Sequence, residues 1–281
     1  MRTKQKGKFR QAGVTLVSLL IATAIGIFLV ATVIKVYLDS KDSFQVRDLV
    51  AEVAENERFA LEEMRRVLVM AGRKILAMED LQPSRRPFPP VQTAASAGTG
   101  IVDGGTDESD VIAVRYRQGP SCGEYLQIET ACRPAEIRFL IQDGKLMCAQ
   151  ATYMDNSGNC STTPSITTRT LISGAYRLKA LYGVDDDADG FANRYLTASQ
   201  IEDDTLVSAP SGGASPWSRV VSIRFALLLG SEGELPKDYQ LDNQSLNMLG
   251  LNVTPPDNTH LYKVVTSTLA FRNLNPIIQR Q

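Results

Sequence analysis

Ala12-Gly13-Val14-Thr15-Leu16-Val17-Ser18-Leu19-Leu20 is the stretch on which the reading of this chain turns. Before it lies a short basic segment with Arg2, Lys4, Lys6, Lys8 and Arg10 and no acidic residue. After Gly13 the chain is uncharged and mostly apolar through residue 34. As a helix rising ~1.5 Å per residue, residues 14–34 would span about 31 Å, roughly the hydrocarbon thickness of a bilayer. The cations before it favour a cytoplasmic N-terminal side. In a secretory signal the small-residue cleavage site follows a shorter apolar region. Here a glycine precedes a full-length one, so cutting after Gly13 would strip the charges and leave a chain that begins with a bare apolar helix.

The helical pattern does not stop at residue 34. Residues 35–74 contain no proline, and their only glycine is Gly72. Val46, Leu49, Val50, Val53, Ala60, Leu61, Met64, Val67, Leu68 and Ala71 recur largely at three- and four-residue steps, which puts them on one stripe. Glu62 is spaced to reach Arg65 and Arg66. This predicts one helix of about 60 residues. Its first half, 14–34, is apolar all round, and its continuation, 35–76, is amphipathic and needs a sheet to cover its stripe. Pro83, Pro87, Pro89 and Pro90 then end helical order, and residues 77–106 read as a Pro/Ala/Ser/Gly-rich loop.

Strand patterns follow in a head covering residues 107–281. Ile112, Val114 and Tyr116 alternate within 110–117. Segments 136–142 and 145–150 flank Asp143-Gly144, a two-residue hairpin signal. Further strands are expected at 169–184, 218–229 and 262–273, with loops at 155–164 and 208–215. The fold class is α+β: a long helix packed on a mainly antiparallel sheet.

The segment from Ala12 to Leu20 resembles the type III signal of type IV pilins and pseudopilins. That resemblance implies cleavage by a prepilin peptidase between Gly13 and Val14, followed by N-methylation of Val14. Downstream segments resemble PilW-type minor pilins. They are Ala54-Glu55-Asn56-Glu57-Arg58-Phe59-Ala60-Leu61 followed by Met70-Ala71-Gly72; Tyr182-Gly183-Val184-Asp185; Trp217-Ser218-Arg219-Val220-Val221-Ser222-Ile223-Arg224; and Tyr262-Lys263-Val264-Val265-Thr266-Ser267-Thr268 with Leu269-Ala270-Phe271-Arg272-Asn273-Leu274. Two positions depart from the family. The fifth mature residue is usually glutamate and here is Ser18, and many major pilins have a proline where Lys35 stands. In the family the glutamate pairs with the N-terminal amine of a neighbouring subunit. Serine forfeits that attraction, and a tip pseudopilin of type II secretion lacks the glutamate too.

The resemblance implies a minor pilin that primes pilus assembly within a tip complex. Its partners would be other minor pilins, the major pilin, the prepilin peptidase/N-methyltransferase, the inner-membrane assembly platform and a tip adhesin. It would cross the bacterial inner membrane once, with its head in the periplasm, and then join the fibre near the tip. The alternatives are a type II secretion pseudopilin and a signal-anchored calcium-dependent adhesin or DNA-binding surface module.

The sharpest chemical signal in the head is Asp185-Asp186-Asp187-Ala188-Asp189-Gly190-Phe191-Ala192-Asn193. Asp185, Asp187 and Asp189 have the spacing of an EF-hand loop start, where alternate residues aim oxygens at one centre and Gly190 allows the sharp turn. The Phe191 backbone carbonyl and Asn193 would complete a structural Ca²⁺ site. The twelfth position, usually a bidentate glutamate, is Leu196, and Glu202, Asp203 and Asp204 are the nearest substitutes. The competing reading is an acidic surface turn.

Four cysteines lie within residues 122–160. Three pairings are open, and Cys122–Cys132 with Cys148–Cys160 is favoured because each closes a short loop. Their spacings lack a zinc knuckle. The chain has one histidine, His260, in a Pro/Asp/Asn-rich loop, and no hydrolase or phosphate-loop motif, so neither an enzyme nor an organic cofactor is expected. A formal net charge of −1 gives no support for a broad nucleic-acid surface.

Overall fold

The computed structural model describes residues 15–75, 82, 85–92, 99–155, 157–203, 205–209, 215–240, 242 and 244–274. The leader 1–13 and the junction residues Gly13 and Val14 lie outside them, as do residues 77–81, 83, 84 and 93–98 of the loop expected at 77–106. The chain divides into two compact units, Met1–Arg47 and Asp48–Gln281. Helix α1, Leu16–Leu68, supplies the described part of the first and the opening of the second.

From Leu16 to Ile34 α1 is uncharged and apolar on every face, and its most apolar stretch is not buried. Leu16, Ile27 and Phe28 are each more than 70% exposed (75%, 72% and 73%). Its hydroxyls are satisfied inside the helix. Thr23 Oγ1 donates to the Leu20 carbonyl and Thr32 Oγ1 to that of Phe28, both at 2.9 Å. Such back-bonding lets a polar side chain sit where no water can reach it. The helix runs unbroken past Lys35.

In the second unit the predicted stripe is buried at Leu49, Val53, Ala60, Met64, Val67 and Leu68. The helix ends at Leu68, short of residue 76. Its last turn tightens, with Met70 and Ala71 N–H donating to the carbonyls of Val67 and Leu68. Gly72 then takes φ +80°, and its N–H crosses to the Arg115 carbonyl at 2.9 Å. A Cβ there would sit 2.8 Å from the Asn273 carbonyl oxygen, so the position needs glycine. Of the expected helix pairs, Arg66 meets Glu63 at 2.6 Å rather than Glu62.

Two four-stranded antiparallel sheets form the head. The first contains β1 (Ile112–Tyr116), β4 (Ala135–Gln142), β5 (Lys145–Met154) and β6 (Cys160–Ser173), in the order β1-β4-β5-β6. The second contains β7 (Ala175–Val184), β8 (Arg194–Leu196), β9 (Val220–Glu234) and β12 (His260–Ala270), in the order β12-β9-β7-β8. Two small hairpins, β2 (Gln118–Ser121) with β3 (Glu124–Glu129) and β10 (Leu246–Met248) with β11 (Leu251–Val253), complete the strands among the described residues. A short helix, α2 (Ala198–Glu202), follows β8. Asp143 and Gly144 turn the β4–β5 hairpin with φ +50° and +68°, the conformation their sequence predicts.

Three expectations are corrected. The strand expected at 169–184 is two strands in different sheets. Gly174 (φ +70°) joins them at a corner where a Cβ would lie 2.2 Å from the Gly230 carbonyl oxygen. The expected 155–164 loop is strand from Cys160 onward, paired on β5 through Met154↔Cys160 and Thr152↔Ser165. Within 77–106, Ile101 and Val102 are core residues bridged to Val91 and Val111, and Phe88 is 2% exposed.

The disulfides also differ from the expected pairs: Cys122 joins Cys148, and Cys132 joins Cys160. Extended chain separates the expected partners. Strand β3 lies between Cys122 and Cys132, and its six residues span about 20 Å. Cys148 pairs in register with Arg169, whereas Cys160 lies opposite Met154, six positions farther along β5. Instead the β2–β3 hairpin folds back on β5, where the Gln150 side chain accepts the Cys122 N–H, and the Cα–Cα distances fall to 5.6 and 5.4 Å. Proteolytic mapping without reduction should recover Cys122 cross-linked to Cys148 and Cys132 to Cys160. Replacing Cys132 and Cys160 together by alanine should lower unfolding stability by about 3–4 kcal/mol, measured by urea titration.

Candidate functional site

Ser18 lies in the first turn of α1. Its Oγ donates to the Thr15 carbonyl at 2.8 Å, and Thr15 Oγ1 lies 3.3 Å away. The hydroxyl is thus satisfied within its own helix. It carries no charge that could draw an amine.

The acidic loop joins β7 to β8 and is closed at its neck by the Asn193 N–H on the Val184 carbonyl at 2.9 Å. Asp185 is 2% exposed and organises the turn. Its two carboxylate oxygens accept the N–H groups of Ala188 (2.6 Å) and Gly190 (2.8 Å). Ala188 and Gly190 both take positive φ, +63° and +89°, which wraps the chain around that carboxylate. Asp189 accepts the Phe191 N–H at 2.8 Å, and Asn193 Oδ1 accepts the Asp186 N–H at 2.7 Å.

The odd-numbered aspartates converge: one carboxylate oxygen from each of Asp185, Asp187 and Asp189 lies within 4.8 Å of the others. Oxygens that bind one Ca²⁺ at 2.3–2.6 Å stand no more than about 5 Å apart, so this set fits a single calcium. The even-numbered Asp186 turns away and pairs with Arg194 at 2.9 Å. Asn193 reaches Asp187 through its amide nitrogen at 3.4 Å.

The proposed substitutes for the twelfth ligand are engaged elsewhere. Glu202 accepts the Trp217 indole N–H at 2.8 Å and lies 3.5 Å from Arg86. Asp203 accepts from Thr205, and those hydrogen bonds outweigh a small burial cost to hold its carboxyl below the usual aspartate range. Asp204 lies outside the described residues. Trp217 is core, packed against Phe88 and Tyr182 at ring-centroid distances of 5.4 and 4.8 Å.

Sequence reasoning missed two buried ion pairs. Arg115 meets Glu136 at 2.7 Å, and Lys179 meets Asp110 at 2.8 Å. Burial raises the Asp110 carboxyl above its ordinary value despite Lys179 and the backbone N–H groups of Ala180 and Gly104. Strand patterns carry no signal for such partners, because each pair joins separate strands or loops.

His260 opens β12, with Nδ1 2.9 Å from Asp257 Oδ1. Asp257 also accepts from the Tyr262 hydroxyl at 3.0 Å and from Thr259. Partial burial pulls the Asp257 carboxyl upward, but these hydrogen bonds win and hold it well below the usual range. The arrangement pins the start of β12.

No curated protein matches the chain. Among solved structures, a type IV-like pilin from Thermus thermophilus is 13% identical over 82% of this chain and 98% of its own, with a TM-score of 0.42.

A depressed carboxyl binds protons less readily in the folded than in the unfolded chain. Its stabilisation is therefore present above the ordinary aspartate value and lost as pH falls through the folded value. Thermal melts of the wild type and Asp257→Asn should differ at pH 7, and the gap should narrow progressively below about pH 4. Residues 138–273 match the family described as type IV pilus-assembly protein W, and the PilW resemblance read from the sequence is thus shown over most of the head.

Proposed function

We propose that this chain is a minor pilin, cleaved between Gly13 and Val14, methylated on Val14 and incorporated into a type IV pilus. The observation that carries the reading is the combination of an uncharged, unburied apolar stretch at the start of α1 with a head that matches the PilW family over residues 138–273. Before assembly that helix crosses the inner membrane, with the head in the periplasm. Afterwards it packs among the helices of other minor pilins and the major pilin. Ser18 supports a tip-proximal, assembly-priming role, since a tip subunit needs no charge pairing on one side.

Edman sequencing of the mature protein from membranes should begin at Val14, and a protein that begins at Met1 refutes the pilin reading. A labelled copy should mark one end of purified filaments. Even labelling along their length removes the tip role but not the pilin one. Loss of protein secretion with intact twitching in a deletion strain would move the chain to a pseudopilus.

The Asp185-Asp187-Asp189 loop holds Ca²⁺ as a structural ion under this proposal. Bound calcium would turn the mutual repulsion of four carboxylates within five residues into attraction. Ligation by hard oxygens supplies no nucleophile, so the role is to order the turn. Calcium at about 100 times its dissociation constant should stabilise the wild type by about 2.7 kcal/mol and leave Asp187→Ala little changed. Equal response of the two proteins, followed by thermal denaturation of the full chain in detergent, would sink the metal assignment.

A further inference from the structure

Where α1 ends against the last residues of β12, three arginines, Arg65, Arg73 and Arg272, are among the residues that line one open groove of about 670 Å³. Val69, Met70 and Leu269 supply its apolar wall, and among the described residues no carboxylate lines it. None of the three arginines pairs with an acid among the described residues. The hydrogen bond recorded for them is a weak one, from Arg73 to the Met70 sulfur at 3.4 Å.

Basic residues at a helix C-terminus often serve its unsatisfied carbonyls. That need is met here by other groups. The carbonyls of Val67, Leu68 and Met70 accept backbone N–H groups, and that of Val69 accepts the Asn273 side-chain amide at 2.8 Å. The three arginines that line the groove are therefore not spent on the helix end, in a chain whose formal charge is negative.

We infer that this groove docks an acidic peptide segment of another protein chain, with carboxylates on Arg65, Arg73 and Arg272 and an apolar side chain against Val69, Met70 and Leu269. Guanidinium forks recognise carboxylates with directional, charge-assisted hydrogen bonds, and an adjoining apolar wall adds contact area that a simple anion cannot use. A nucleic acid fits less well. Among the described residues the lining offers no aromatic face for a base to stack on, and three cations make a short basic patch rather than a track for a phosphate backbone. The inference extends the pilus reading by giving the chemistry of a partner. Its test does not depend on whether the chain enters a filament.

The probe is a fluorescein-labelled peptide, Glu-Glu-Leu-Phe-Glu-Glu, titrated with the full chain in uncharged detergent and read by fluorescence anisotropy. Binding should weaken about tenfold or more when Arg65→Glu and Arg272→Glu are combined, and again when salt is raised from about 50 to 300 mM. Arg65→Gln with Arg272→Gln should give a smaller loss. Lys237→Glu, a reversal at an exposed 3₁₀ turn outside the groove, should leave binding intact. An unchanged melting temperature shows that each variant folds. Equal affinity for the peptide with glutamine in place of glutamate, or undiminished binding by the folded double reversal, overturns the inference. So does a dT12 oligonucleotide that binds more tightly than the peptide and loses that binding in the same variant.

Discussion

An apolar helix face cannot be left in water, and in Asp48–Gln281 covering that face organises the rest. Val53, Ala60, Met64, Val67, Leu68 and Ala71 join one core with Phe88, Val114, Phe225, Val265 and Leu269. Fully burying a side chain of the size of valine, leucine or methionine is worth about 1.5–3 kcal/mol, so the stripe outweighs any single polar contact at its edge. Ala60 is fully buried, and its small side chain lets the helix backbone lie close to the core. The rim is polar: Glu52 accepts the Glu232 N–H at 2.8 Å, and Lys263 pairs with Glu57. Such exposed pairs contribute about 0–1 kcal/mol and orient the helix more than they hold it.

What was legible in the sequence was whatever is written locally. The stripe repeats every turn, the Asp143-Gly144 hairpin sits in two residues, and the acidic loop announces itself by alternate spacing. The helix end was not legible, because it depends on the Arg115 carbonyl arriving from another strand to take the Gly72 N–H. The disulfide pairs Cys122–Cys148 and Cys132–Cys160 are not legible for the same reason, since short sequence loops are long distances once the intervening residues extend. Ile101 and Val102 looked like loop because their neighbours are glycine, serine and threonine, yet their side chains found the core. In the acidic loop the three converging aspartates were visible, but the removal of Glu202 to Trp217 and Arg86 was not. The groove could not be read at all, because Arg65, Arg73 and Arg272 meet only after β12 returns to the helix end.

The buried charges explain how an irregular segment is held between two sheets. Glu136 accepts from Arg115 and from the Gly100 N–H. Asp110 accepts from Lys179, from the Ala180 N–H and from the Gly104 N–H. Each carboxylate therefore ties one part of the segment from Gly100 to Asp110 to a different sheet. The raised Asp110 carboxyl says that desolvation exceeds what its partners return, so this pair is weak evidence for stability. Removing one partner would still be costly, because the other would remain charged and buried. The pairs dictate a path for the chain that apolar contacts alone would leave open.

The first unit presents the opposite design. From Leu16 to Ile34 α1 carries no charge, and Ser18, Thr23 and Thr32 all donate to carbonyls of their own helix. A carboxylate there would cost several kcal/mol in a bilayer unless paired, whereas a back-bonded serine costs little. What remains to the helix is dispersion packing, which fits many apolar partners and selects poorly among them. Selection must then come from groups that can be matched by sign and geometry, and those lie in the head. The acidic turn at Asp185–Asp189 and the arginine-lined groove at the end of β12 carry opposite charge on separate elements. A helix without a pairing charge leaves specificity to such surfaces, since the Ser18 hydroxyl is spent on the Thr15 carbonyl.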